Sequence, residues 1–124
     1  MPDRTPMTLF SMTTRAMSAQ MVRMNAATSN LANAGSVSST EEGAYRPIRA
    51  VFATELDRAS GLAGVTTGGL VRAETAPTKR HDPGHPLADK DGFVFEAPVD
   101  ETAEMVEIME SARQYQNLVQ ALQT

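Results

Sequence analysis

His81-Asp82-Pro83-Gly84-His85, followed by Asp89, holds the residues of this chain best suited to chemistry. Imidazoles and carboxylates are metal ligands, and two His at i and i+4 share a face when they lie on a helix. Pro83, Gly84 and Pro86 forbid that helix. A loop can still bring His81 and His85 together, so a metal-dependent enzyme is one reading, although spacing marks no third protein ligand. The other reading is a turn whose His and Asp side chains bond to nearby backbone groups, with no metal, no cofactor and no catalytic residue, and it is the one expected here. Other chemistries lack their signatures. No Gly-x-Ser-x-Gly elbow exposes a nucleophile, Gly68-Gly69 lacks the Lys-Ser/Thr continuation of a phosphate loop, and the absence of Cys excludes thiol catalysis, disulfides and Cys-ligated zinc.

The elements that must position this loop are read from periodicity. Over residues 10–35, Phe10, Met17, Met24 and Leu31 recur every seven residues, with Met21 beside them, which predicts a helix with one apolar stripe. Ser29-Asn30-Leu31-Ala32-Asn33-Ala34-Gly35 ends it with residues that tolerate left-handed backbone. Asn30 and Asn33 stand where their amides can bond the last free carbonyls and the returning chain. Over residues 100–124, Met105, Ile108, Ala112, Tyr115, Val119 and Leu122 step by three and four, with Asp100 as cap. Residues 4–40 carry only Arg4, Arg15 and Arg23 (+3), whereas residues 100–124 carry five acids against Arg113 (−4). Opposite charge therefore favours pairing of the two helices as an antiparallel coiled coil.

Between the helices, residues 36–43 read as a linker or an extended segment. Residues 45–56 read as an edge strand interrupted by Pro47, residues 59–64 as a turn, and residues 65–75 as a strand with Gly68-Gly69 as its bend or hairpin turn. Residues 81–89 form a rigid loop, and Phe93-Val94-Phe95 a strand after Gly92. The fold class is therefore α+β. Residues 1–35 and 100–124 form a terminal-helix domain, residues 36–99 a linker and small β domain, and residues 1–6 a loose arm.

Composition narrows the function. With 124 residues, 41% hydrophobic content and no Trp, the core must be thin. A net charge of −4 with no Lys/Arg cluster argues against nucleic-acid binding. No apolar run is long enough to span a membrane, and the N-terminus lacks the layout of a cleaved secretory signal. A soluble coiled-coil adaptor is compatible with these features.

Several segments together resemble the bacterial flagellar rod and hook axial protein family: Ser29-Asn30-Leu31-Ala32-Asn33-Ala34, preceded by Met17-Ser18-Ala19-Gln20, then Gly43-Ala44-Tyr45-Arg46 and Ser111-Ala112-Arg113-Gln114-Tyr115-Gln116-Asn117. Asp82-Pro83-Gly84-His85-Pro86-Leu87-Ala88-Asp89 with Gly92-Phe93-Val94 is similar to a proximal-rod member rather than its sister FlgB. The resemblance implies a structural subunit of the periplasmic rod, without catalysis or cofactor, exported unfolded by the flagellar type III apparatus without a cleaved signal. It implies as partners further copies of the chain and the rod subunits FlgB, FlgF, FlgG and FliE, with the helices around a central channel and the β unit outside. The assembly interface is then Phe10, Met17, Met21, Met24 and Leu31 with Met105, Ile108, Ala112, Tyr115, Val119 and Leu122. The family's last helix usually continues several turns past the position equivalent to Thr124, which bears on the innermost packing.

Overall fold

The computed structural model describes residues 8–57 and 61–123. The expected arm over residues 1–6, residues 59–60 of the turn expected over 59–64 and the chain end at Thr124 lie outside the described residues; Leu62, Ala63 and Gly64 of that turn are instead strand, paired with Asp57, Leu56 and Glu55.

The first helix, α1, runs Leu9–Ala32. A capping box starts it: Ser11 N–H donates to Thr8 Oγ1 at 3.0 Å, and Thr8 N–H donates to Ser11 Oγ at 2.8 Å. Asn33 caps its C-terminus, and Gly35 follows at φ +81, the left-handed backbone anticipated for the stop. At the other end of the chain, α2 runs Glu101–Gln123, and Asp100 accepts at Oδ1 from Ala103 N–H at 3.2 Å, as expected of its cap.

Between them, among the described residues, lie five strands in two antiparallel sheets. β1 (Val37–Ser38), β5 (Phe93–Glu96) and β4 (Thr78–His81) form one sheet with β5 in the middle, while β2 (Ile48–Asp57) and β3 (Leu62–Arg72) form a separate ribbon. Gly68-Gly69 is not the hairpin turn. Val51 pairs with Gly69 and Phe52 with Thr67, so Gly68 is the extra residue of a bulge within a continuous β3. A Cβ at Gly68 would come within 3.2 Å of the Val51 carbonyl, and Gly69 sits at φ +111, so both positions of the bulge favour glycine. β1 lies in the stretch read as a linker or an extended segment, and β4 was not anticipated because its four residues, Thr78-Lys79-Arg80-His81, are all exposed and carry no apolar alternation.

The segment leaving α1 and the segment entering α2 lie side by side. Val37 pairs with Glu96, and Ala97 N–H donates to Ser36 C=O at 2.9 Å. The helices contact one another, and Arg23 on α1 meets Glu107 on α2 at 2.8 Å, an instance of the opposite charge seen in the sequence.

The buried surface differs from the expected seams. Among the described residues the buried apolar ones are Ala19, Ala26, Ala27, Ala44, Val94 and Ala97, mostly small side chains that set close approach. On α1, Ala19, Ala26, Ala27 and Asn30 lie roughly 140° around the helix from the Met stripe, at 3.6 residues per turn. Met17, Met24 and Leu31 are half-buried, while Phe10 is 68% and Met21 41% exposed. On α2 the fully buried residues are Glu104 and Ser111, while Ile108, Ala112, Tyr115 and Val119 are half-buried, and Met105 and Leu122 are exposed. Periodicity located the stripes, but the subunit buries a different side of α1.

Candidate functional site

The end of α1 is held by its own motif. Asn30, with no solvent exposure, presents its amide to Ile48 as a neighbouring strand would. Its Nδ2 donates to Ile48 C=O at 2.9 Å, and its Oδ1 accepts from Ile48 N–H at 2.8 Å and from the Tyr45 hydroxyl at 2.7 Å. Ile48 opens β2, so this one side chain fixes where the ribbon starts relative to α1. Asn33 Nδ2 donates to Ser29 C=O at 2.9 Å, a carbonyl that also accepts from the Asn33 backbone N–H at 3.2 Å. Ser29 Oγ lies 3.2 Å from the Tyr45 hydroxyl, Leu31 is half-buried and Ala32 is exposed. Of the roles foreseen for the Asn pair, bonding the returning chain is filled by Asn30, while the Asn33 amide reaches a carbonyl of the last turn that already has a backbone donor. The hydrogen bond from Tyr45 was not legible, because neither its place at the start of the expected strand nor its place in the family motif names a side-chain partner.

The same network continues to α2. Arg49, the next residue of β2, forms a 2.6 Å ion pair with Glu104 Oε1, and its Nη1 donates to the Ile48 carbonyl at 3.2 Å. Nothing in the helical pattern distinguished Glu104 from the other acids of α2, whose charge the sequence read as favouring pairing with α1.

The loop from Asp82 to Asp89 folds onto its own backbone. His85 N–H donates to Asp82 C=O at 3.1 Å, Leu87 N–H donates to His85 Nδ1 at 3.0 Å, and Ser39 Oγ donates to Leu87 C=O at 2.8 Å. His81 packs edge-on against Phe93 with ring centroids 4.9 Å apart. Asp89 Oδ1 accepts from the N–H groups of Asp91 and Phe93, each at 2.9 Å. His85 Nδ1 and the Asp89 carboxylate are therefore engaged with the backbone in the manner of a structural turn. Among the described residues, no group of three or more His, Cys, Asp or Glu is placed to hold a metal ion.

The Asp89 carboxyl is held below the usual carboxylate range, chiefly by the Phe93 N–H. Desolvation pushes the other way, and the Asp91 N–H, the Lys79 charge and the Gly92 N–H each add a smaller lowering. A carboxylate depressed in the folded state stabilises fully above its unfolded pKa, and that stabilisation is lost as pH falls through the folded value. Asp89→Asn is therefore expected to be less stable than the parent near neutral pH, with the gap closing as acid protonates Asp89. Melting curves across the acid range measure this. A gap independent of pH would mean that the charge of Asp89 is not what matters.

Pro83 and Pro86 are exposed at the loop surface, and so is Gly84. Gly84 does not have positive φ, and a Cβ there would meet nothing within 4 Å. The glycine the loop requires is Gly92, at φ +84, where a Cβ would come within 3.1 Å of both His81 Nε2 and Pro83 Cβ. Gly92→Ala is expected to destabilise by about 2 kcal/mol, whereas Gly84→Val stays within about 0.5 kcal/mol of the parent. Equal denaturation midpoints for the two variants would contradict this assignment.

Among the described residues no helix is long and apolar enough to cross a membrane. No protein-family model matches the chain. It is 34% identical over 116 residues to the flagellar basal-body rod protein FlgC of Salmonella typhimurium, covering 94% of this chain and 87% of that one. It is 35% identical over 116 residues to the protein of the same name from Escherichia coli O157:H7, with the same coverage. The FlgC of Agrobacterium fabrum is 33% identical over 105 residues, 83% of this chain and 75% of that one. With this identity sustained across both helices and the segment between them, the chain belongs to the family of flagellar basal-body rod proteins named FlgC.

Proposed function

We propose that the chain is a structural subunit of the proximal rod, assembling by helix packing into the drive shaft around the export channel. The observation that carries this reading beyond the family is the placement of the apolar stripes. Phe10, Met21, Met105 and Leu122 are exposed in the single chain, although their spacing is that of residues that pack. Large apolar side chains left on one side of a helix call for cover by another surface. The outer face of α2 also carries an open groove of about 400 Å³ lined by Val106, Met109, Glu110, Arg113 and Gln114.

In this reading α1 and α2 pair as an antiparallel coiled coil. The adjacency of Ser36 with Ala97 and the Arg23–Glu107 pair support it. Residues 1–35 and 100–124 form the assembly unit, and residues 36–99 face outward. The partners are further copies of the chain, the rod subunits FlgB, FlgF, FlgG and FliE, and the flagellar export apparatus. The rod lies in the periplasm, and the chain reaches it by type III export without a cleaved signal. The subunit acts by packing and not by catalysis.

Deleting the gene in its own bacterium and inspecting basal bodies by electron microscopy tests the proposal. The expected result is loss of motility with basal bodies lacking a complete rod, restored by the intact gene. Complete rods in the deletion strain would overturn it.

A further inference from the structure

The run Gly43-Ala44-Tyr45-Arg46 leaves one side chain unused. Tyr45 is bonded to Asn30, but the half-buried Arg46 side chain has no ion pair or hydrogen bond among the described residues. Arg72 of β3 lies beside it. Its Nη1 donates to the Arg46 C=O at 3.1 Å, its guanidinium carbon stands 5.7 Å from the centre of the Tyr45 ring, and it too has no acid partner among the described residues. Both arginines border an open hollow of about 490 Å³, walled also by Asn33, Ser36, Tyr45 and Glu42. Even with Glu42 counted, one positive charge is left over. A half-buried guanidinium without a counter-ion has given up hydration that an anion restores, and two side by side suit a carboxylate. Next to Arg72 the ribbon exposes Leu70, and the pairings of Leu70 with Ala50 and Arg72 with Ile48 put the two on one face, about 7 Å apart.

The complementary surface is the start of α2. Of its acids up to Glu107, Asp100 caps the helix, Glu104 pairs with Arg49 and Glu107 pairs with Arg23, which leaves Glu101 exposed and unpaired among the described residues. Met105, also exposed, follows one turn later, about 6 Å along the axis. Acid and apolar group on α2 thus repeat the spacing of Arg72 and Leu70 on the ribbon. None of the residues lining the hollow belongs to α2, so the chain does not fill it with its own Glu101.

We infer that the hollow between Arg46 and Arg72 receives the Glu101 carboxylate of a second copy of this chain, with one flank of that copy's Met105 against Leu70 and the rest of its surface left to a neighbouring helix. The inference rests on the reading that the chain assembles with further copies of itself. Hollow and acid lie on different surfaces, so each copy gives one contact and takes another. That head-to-tail geometry builds a ring or a helix rather than a closed pair.

Photocrosslinking in basal bodies tests it. The full chain with p-benzoylphenylalanine placed at Leu70 replaces the native one in its own bacterium, and purified basal bodies are irradiated. The expected adduct has twice the mass of the chain and maps by mass spectrometry to residues 101–109. An adduct within one chain, an adduct to a different polypeptide, or none in rods that contain the chain would each overturn the inference and leave the rod assignment standing, whereas absence of the chain from the rods would overturn both. Arg72→Glu and Glu101→Arg are each expected to lower incorporation at least about tenfold, and together in one chain to restore it to within about twofold of the parent. Restoration separates a lost contact from a subunit that merely folds poorly. A double variant incorporated no better than the single ones would also overturn the inference.

Discussion

Asn30→Ala is expected to lower the stability of the free subunit by about 3 kcal/mol, with a melting temperature about 10 °C lower. The side chain satisfies the Ile48 N–H, the Ile48 C=O and the Tyr45 hydroxyl at a position with no solvent exposure, so truncation leaves these groups without their partner. Each hydrogen bond contributes about 1 kcal/mol net, and each buried group left unmatched costs about 1–3 kcal/mol. Tyr45→Phe removes one of the three and is expected to cost about 1 kcal/mol. Asn30→Asp keeps the acceptor but loses the donor and sets a carboxylate against the Ile48 carbonyl, so it does not rescue. Differential scanning calorimetry of the three variants measures the effect. If Asn30→Ala melted like Tyr45→Phe, the amide pairing with Ile48 would not be what holds the ribbon to α1.

The second large effect falls on assembly. Met105 is 54% exposed, so Met105→Asp places its charge in water and should change the stability of the free subunit by no more than about 0.5 kcal/mol. Packed against a neighbouring helix, the same carboxylate would be buried without a partner at a cost of about 3–5 kcal/mol, enough to prevent incorporation. The variant is therefore expected to melt normally, to be exported and to be missing from rods. Ile108→Asp, at a half-buried position, is expected to impair both the subunit and its assembly. Glu110→Gln, an exposed and conservative change, should do neither. Quantifying each variant in purified basal bodies gives the result, and normal incorporation of Met105→Asp would show that this stripe is not an assembly interface.

The sequence by itself determined the two terminal helices, the stop of the first at Asn33 and Gly35, the cap at Asp100 and the strand at Phe93. These are local properties. Apolar period, the capping chemistry of Asp and Asn and the backbone freedom of Gly act within a few residues and leave their mark in the order of the letters. The resemblance to flagellar rod proteins was legible for a related reason: its motifs are short contiguous runs. The turn formed by His85, Leu87 and Asp89 also followed from local rules, since Pro and Gly remove the helix and leave Asp and His to bond nearby backbone.

Tertiary structure alone decided which side of each helix is buried. A stripe of Met and Phe shows that a helix has an apolar face, but not whether that face meets its own chain or another molecule, and Ala and Asn are too weakly apolar to announce the face that α1 buries. Only the approach of β2 makes Asn30 a strand-like partner of Ile48 and encloses Glu104 behind Arg49. The same holds for glycine. Gly68-Gly69 reads as a turn until its strand partner shows that the pair absorbs one extra residue, and Gly92 outranks Gly84 only because His81 and Pro83 crowd it. Burial, register and close approach are relations between distant segments, and no single stretch of the sequence contains both of the surfaces that meet.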